Sequence, residues 1–142
     1  MMHAIPYRHF HLASLTPQEA QATMAELIKP EYAKALEIAG PAWTVMDGSE
    51  VLACLGLAEQ WSTRAQAWTI LSNNLTGRRF AKFHAMVMRG LGMQSYTRIE
   101  MTVDHEFEQG HRWAKLLGFE WEGLMRKYNP NGMDCDLYAR VK

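Results

Sequence analysis

Cysteine is scarce in this chain, and what there is does not form a framework. Cys54 and Cys135 are the only two, with neither CxxC nor metal-ligand spacing, which excludes a disulfide scaffold and a zinc knuckle. Each falls in a strand-like run, so both read as reduced core residues of a cytosolic protein. Neither sign of charge dominates: 15 Lys and Arg face 15 Asp and Glu, a formal net charge of zero. No global field therefore draws the protein to nucleic acid or to an anionic membrane. No apolar run reaches the ~18–20 residues of a membrane span, and "MMHAIPYRHF" lacks the apolar core of a signal peptide. Internal repeats, low-complexity linkers, a nucleophile elbow and a Walker-type loop are also missing. What remains is 142 residues with 48% hydrophobic and 21% charged side chains. That is the profile of one soluble intracellular domain spanning residues 1–142.

The apolar period changes several times along the chain. Thr16, Pro17 and Glu19 form a helix start, with a hydroxyl cap, a proline in the first turn and an early acid. Ala20, Met24, Leu27 and Ile28 then share one face. Pro30 interrupts, and "EYAKALEIAG" predicts a second short helix ended by Gly40. "AWTVMDG" and "SEVLACLGLAE" predict two strands joined around Asp47-Gly48, residues that tolerate positive φ. "RAQAWTILS" predicts a third. From Gly77 the helical period returns, with Phe80, Phe83, His84, Val87, Met88 and Leu91 on one side and Gly90 and Gly92 as the stop. The strand "YTRIEMTVD" follows, then a helix "HEFEQGHRWAKLLG" carrying Phe107, Trp113, Leu116 and Leu117 and closed by Gly118. The strands "FEWEGLMRKY" and "DCDLYARVK" finish the chain around the turn "NPNGM". With a short strand near "YRHFHLA" in front, this order implies an α+β fold, a sheet with helices packed on both faces. The strands near 63–72 and 97–103, joined through the helix at 78–91, are predicted to run parallel.

The segment "HRWAKLLGFEWEGLMRKY" carries a resemblance. Leu117, Gly118 and Phe119 make a Leu-Gly-Phe turn, and Glu122, Gly123, Arg126 and Tyr128 follow it. Leu137, Tyr138 and Arg140 lie in the final strand. This pattern and the element order resemble the GNAT acetyltransferases over nearly the whole chain. The resemblance implies a mostly antiparallel twisted sheet with a splayed parallel strand pair, binding of acetyl-coenzyme A, and acetyl transfer to an amine. A narrower likeness is to the small GNAT-like proteins of short-tailed bacteriophages, some of them packaged as internal virion proteins. Its cues are a tryptophan-bearing strand before "LTGRRFAKF" and a histidine before the Arg-Trp of the last helix. That likeness implies a phage-encoded protein in the host cytoplasm or the virion, with a phage or host protein as partner.

In GNAT enzymes the loop after the fourth strand presents backbone N–H groups to the coenzyme pyrophosphate at a helix N-terminus. The matching loop here is Asn73 to Arg79, with one glycine, Gly77, and an arginine at 79 where a second small residue is usual. The resemblance implies cofactor contacts from Thr76, Gly77, Arg78 and Arg79, with the pantetheine arm along Ile70, Leu71 and Ser72. Arg79 would crowd a pyrophosphate lying on the backbone, or bind it through its guanidinium. Thr76 also suits a plain helix cap, and the loop a solvated turn. The tyrosine acid of the family falls at Ala114, and its helix-start asparagine at about Phe107. Substitute catalytic groups are Glu59, at a strand end, Asp104 beside His105, and Tyr128. Asp104 equally suits an N-cap, and His111 a helix surface.

Other chemistries fit less well. His3, His9 and His11 lack the carboxylate or cysteine that completes a metal set. In "GRRFAKF" the phenylalanines have core spacing, against specific nucleic-acid binding. Two readings follow. One is an acetyl-coenzyme A-dependent N-acetyltransferase acting on a small-molecule or protein amine. The other is a catalytically inactive GNAT-fold interaction protein, whose surplus aromatics such as Trp61, Trp68 and Trp121 line a partner surface.

Overall fold

The structure is a computed structural model describing residues 1–18 and 29–142. The predicted helical face from Ala20 to Ile28 lies outside the described residues. Seven strands form one mixed sheet in the order β1-β2-β3-β4-β5-β7-β6. They are β1 (Met2–Pro6), β2 (Ala42–Asp47), β3 (Glu50–Trp61), β4 (Arg64–Leu71), β5 (Arg98–Asp104), β6 (Glu120–Met125) and β7 (Cys135–Val141). The helices are α1 (Pro30–Ile38), α2 (Gly77–Gly92) and α3 (Glu108–Leu116). Pairs β1–β2, β2–β3, β5–β7 and β6–β7 run antiparallel. The parallel β4–β5 ladder joins Arg64–Gln66 to Arg98–Glu100 and stops there, although β4 continues to Leu71 and β5 to Asp104. The pair is parallel, as expected from the sequence, and α2 is its crossover.

The chain divides into two compact units, Met1–Ala58 with Trp68–Met93, and Glu59–Ala67 with Gln94–Lys142. In the first, Tyr7, Leu15, Leu36, Val51, Cys54 and Ile70 form a buried cluster, with Trp68 packed against it. Removing such side chains from water stabilises by roughly 1.5–3 kcal/mol each. The front strand differs from expectation: it spans Met2–Pro6, and His9–Ser14 is a 3-10 turn. The reason is local. The Arg8 N–H donates to His11 Nδ1 at 3.1 Å while the His11 N–H donates back to the Arg8 carbonyl at 2.9 Å, which curls the chain. His9 is then drawn to Glu37 at 2.8 Å, and His11 to the Thr44 hydroxyl at 2.7 Å. Pro30 opens α1, the second short helix expected from the sequence, because its missing N–H costs nothing at the first position.

In the second unit β5, β7 and β6 pair in that order, and α3 follows β5. Glu100 is buried yet charged. Arg64 donates to both of its oxygens at 2.8 Å, and Arg98 Nε to one at 2.6 Å. Arg98 continues to Glu122 on β6. The Arg64 and Arg98 guanidiniums outweigh the effect of burial and hold the Glu100 carboxyl down to about 2. The Leu-Gly-Phe turn behaves as predicted: Gly118 has φ +88, and Leu117 and Phe119 on either side are buried. Leu116, placed on the apolar face from sequence, is 67% exposed, since α3 ends there and Leu117 takes the inward position. Among the described residues no helix is long and apolar enough to cross a membrane.

Candidate functional site

The loop from β4 into α2 belongs to the first unit. Ile70, Leu71 and Ser72 are buried, and the Ser72 N–H donates to the Leu52 carbonyl at 2.8 Å, fixing the strand end to β3. Ser72 then organises the turn. Its hydroxyl accepts the Asn74 N–H at 3.0 Å and its carbonyl accepts the Leu75 N–H at 3.1 Å. Leu75 is the buried anchor. Thr76 occupies the N-cap position but makes no side-chain cap bond. The chain enters the helix through Gly77 at φ +57, a left-handed conformation that costs other residues roughly 1–2 kcal/mol. That entry displaces the usual cap geometry. As at helix N-termini in general, the N–H groups of Gly77, Arg78 and Arg79 have no partner among the described residues.

The two arginines have different surroundings. Arg79 Nη2 lies 3.1 Å from Glu50 Oε1 and 3.3 Å from Asp47 Oδ2. Asn74 Nδ2 donates to the same Glu50 at 3.0 Å. The Arg79 and Asn74 hydrogen bonds hold Glu50 below the usual carboxylate range, and Glu50 in turn raises Arg79. The Arg79 guanidinium is therefore committed to the β2–β3 hairpin. Arg78 is exposed, and its side chain has no partner among the described residues.

The predicted catalytic residues lie in the second unit, and among the described residues no hydrogen bond joins any two of them. Glu59 sits on the exposed end of β3, its carboxylate accepting the Tyr96 hydroxyl at 2.8 Å. Asp104 ends β5, where Oδ1 accepts from Asn129 Nδ2 and from the Cys135 thiol, each at 3.4 Å. It is not an N-cap: Phe107 takes that position, because the Phe107 N–H turns back onto the Asp104 carbonyl at 2.9 Å. Tyr128 follows β6, 51% exposed, with its hydroxyl unbonded among the described residues. Burial first, and Asp104 next, push the Cys135 thiol up to about 11, so it supplies no thiolate. Ala114 is fully buried.

Sequence reasoning missed a cluster beside Asp104. Asp136 of β7 is 3% exposed. Its Oδ1 accepts the Trp121 indole N–H at 2.8 Å, and its Oδ2 the His105 Nδ1–H at 2.7 Å. His111 Nε2 is 2.7 Å from the His105 carbonyl, which can only accept, so Nε2 carries the proton. The other ring nitrogen, Nδ1, lies 2.7 Å from the Tyr138 hydroxyl. Burial alone would raise the Asp136 carboxyl, but Trp121 and His105 outweigh it and hold it low. Asp136 in turn raises His105 above its ordinary value. Burial, and then the Asp136 charge, raise Tyr138. A signal was present: Asp136 and Tyr138 share one face of a strand with period two.

No family model and no curated protein matches the chain. Solved structures do. Ard1 from Thermoplasma volcanium is 14% identical with a TM-score of 0.81, over 99% of this chain and 97% of its own. The acetyltransferase (GNAT family) from Bacillus anthracis is 13% identical with a TM-score of 0.72, covering 99% and 94%. Spermidine N-acetyltransferase SpeG from Vibrio cholerae, in a mutant form, is 15% identical with a TM-score of 0.70, covering 99% and 93%. At such identities the likeness is one of fold, and the fold of this chain is that of the GNAT acetyltransferases.

Proposed function

We propose that this chain is an acetyl-coenzyme A-dependent N-acetyltransferase, phage-encoded, with a pyrophosphate loop reduced to one glycine. The observation carrying the reading is the set of open N–H groups on Gly77, Arg78 and Arg79. They head a 16-residue helix in a fold shared with N-acetyltransferases. Such a terminus favours phosphate through its donors and its dipole. A side-chain carbon built at Gly77 would meet nothing within 4 Å, so this side of the turn has room for a ligand. Gly77, the Arg79 backbone and the Arg78 guanidinium would hold the pyrophosphate, with Thr76 beside them. Ile70, Leu71 and Ser72 would take the pantetheine arm. The coenzyme supplies the acetyl group as a thioester. The acceptor is an amine, on a small molecule or a protein.

Calorimetric titration with acetyl-coenzyme A tests this directly. Wild type is expected to bind, and Arg78→Ala to weaken binding roughly tenfold or more, since a charge-assisted contact is worth about 1.5–3 kcal/mol. No binding by the wild type ends the reading. A second reading, a catalytically inactive GNAT-fold phage component with a protein partner, is favoured by exposed apolar residues near the edge strand β6. Trp121, Leu124, Tyr128 and Met133 are 57%, 45%, 51% and 54% exposed.

A further inference from the structure

We infer that this protein pairs with a second copy of itself along β6, in a two-fold contact centred near Gly123. All the residues concerned lie in the second unit, and the inference is independent of the acetyltransferase reading. β6 ends the sheet, with β7 on its inner side and no strand on its outer side among the described residues. Trp121 and Leu124 stand exposed on it, and large apolar side chains on an open edge mark a place where another chain can dock. The register brings these two together. Trp121 lies opposite Tyr138 and Leu124 opposite Asp136, with Glu122 as the extra residue of a bulge. Alternate β7 residues share a face, so Trp121 and Leu124 do as well, although three positions separate them. The bulge also turns the edge away from continuous strand addition. Side chains, rather than a long main-chain ladder, therefore make the contact.

The Trp121 ring is held in place before any partner arrives. Its indole N–H donates to the buried Asp136 at 2.8 Å, and the other Asp136 oxygen is bonded to His105. A buried carboxylate needs its lone pairs filled, so breaking the indole bond is costly. An exposed indole fixed in this way loses little side-chain freedom on docking, and tryptophan is enriched at the energetic centre of interfaces. Charge chooses the occupant. Glu120 opens β6, and Arg126 follows its last residue, Met125. Both side chains are exposed, and neither has a partner among the described residues. Glu122, by contrast, is committed to Arg98. The strand is thus acidic at its start, apolar in its middle and basic just past its end, where Lys127 follows Arg126. A two-fold axis near Gly123 reverses one copy against the other. Trp121 then meets Leu124 of the second copy, and Glu120 meets Arg126 of the second copy, each contact occurring twice. A parallel placement would set like charges together. At the axis, a side-chain carbon built on Gly123 would meet nothing within 4 Å, and a strand glycine lets another backbone come close. An edge complementary to itself in one orientation selects a second copy over an unrelated protein.

Sedimentation velocity of the full chain tests this over protein concentrations of about 1–100 µM. Low ionic strength keeps the exposed charges from being screened. Wild type should pass from a 16.3 kDa species to one of twice that mass as concentration rises. Leu124→Glu should raise the dimer dissociation constant about tenfold or more. Glu120→Lys and Arg126→Glu each set like charges together at both contacts, and each should weaken the dimer when alone. Their equimolar mixture should form a heterodimer. In it the two reversed residues meet each other, and the two unaltered ones meet at the second contact. One chain carrying both changes should dimerise as wild type does. The mixture arm does not depend on Leu124→Glu folding, and circular dichroism checks the fold of every variant. A wild type that stays monomeric throughout overturns the inference and leaves the edge to a different protein. So does a dimer indifferent to Leu124→Glu, or a mixture that associates no better than its components. No arm involves acetyl-coenzyme A, so none bears on the acetyltransferase reading.

Discussion

Two turns lead from a strand into a helix, and they spend their polar groups in opposite ways. After β4, the turn leaves backbone N–H groups of Gly77, Arg78 and Arg79 open, while its side chains Asn74 and Arg79 are committed to Glu50. After β5, the backbone of His105 is bonded on both sides, and what stays open is a side-chain nitrogen. The carboxylates differ too. The side chains of Glu50 and Asp47 in the first unit are 39% and 29% exposed, whereas those of Glu100 and Asp136 in the second are 9% and 4%. Open backbone donors suit a ligand of fixed charge, and an oriented imidazole suits proton movement.

Acid should separate the two units most strongly. Glu100 is held near 2, below the 4.5 of a free glutamate. Its contribution is complete above pH 4.5 and is lost as pH falls towards 2, a change of about 3 kcal/mol. Denaturant unfolding between pH 6 and pH 2 should show that loss in wild type, and Glu100→Gln should lack it. An equal loss in the glutamine variant would mean that the clasp with Arg64 and Arg98 contributes no pH-dependent stability. Next in size is Gly77→Ala, which meets no neighbour but forces a left-handed φ. Thermal and denaturant unfolding should show a cost of about 1–2 kcal/mol; a neutral change would mean the turn readily adopts another shape. Smallest is Arg79→Ala. Exposed ion pairs contribute little, so the unfolding midpoint should stay within experimental scatter. Its acetyl-coenzyme A affinity should also fall less than that of Arg78→Ala. If Arg79→Ala weakens binding more, the hairpin carboxylates do not keep that guanidinium from the ligand.

What was legible in the sequence was local. The β2–β3 hairpin, the entry at Gly77 and the turn at Gly118 are each announced by residues adjacent in the chain, because φ preference and apolar period act over a few positions. The front strand was misplaced: the stretch Tyr7–Ala13 was expected to be extended, but the reciprocal bonds between Arg8 and His11 curl it. The hydrogen-bonded cluster around Asp136 was only partly within such reading. His105 meets Asp136 across 31 positions, and His111 meets Tyr138 across 27. Only the pairing of β5 with β7, which sets Val103 opposite Asp136, brings them together. The partner of Glu59 is equally remote in sequence: Tyr96 lies 37 positions away.

The bond from Trp121 to Asp136 also has an optical meaning. The indole N–H donates to the carboxylate that holds His105, so a proton arriving on His105 changes the charge two hydrogen bonds from a fluorophore. Five tryptophans would blur that signal. With Trp43, Trp61, Trp68 and Trp113 replaced by phenylalanine, the emission of Trp121 should follow the ionisation of His105 without any label. A stopped-flow pH jump would then time the arrival of the proton at the site.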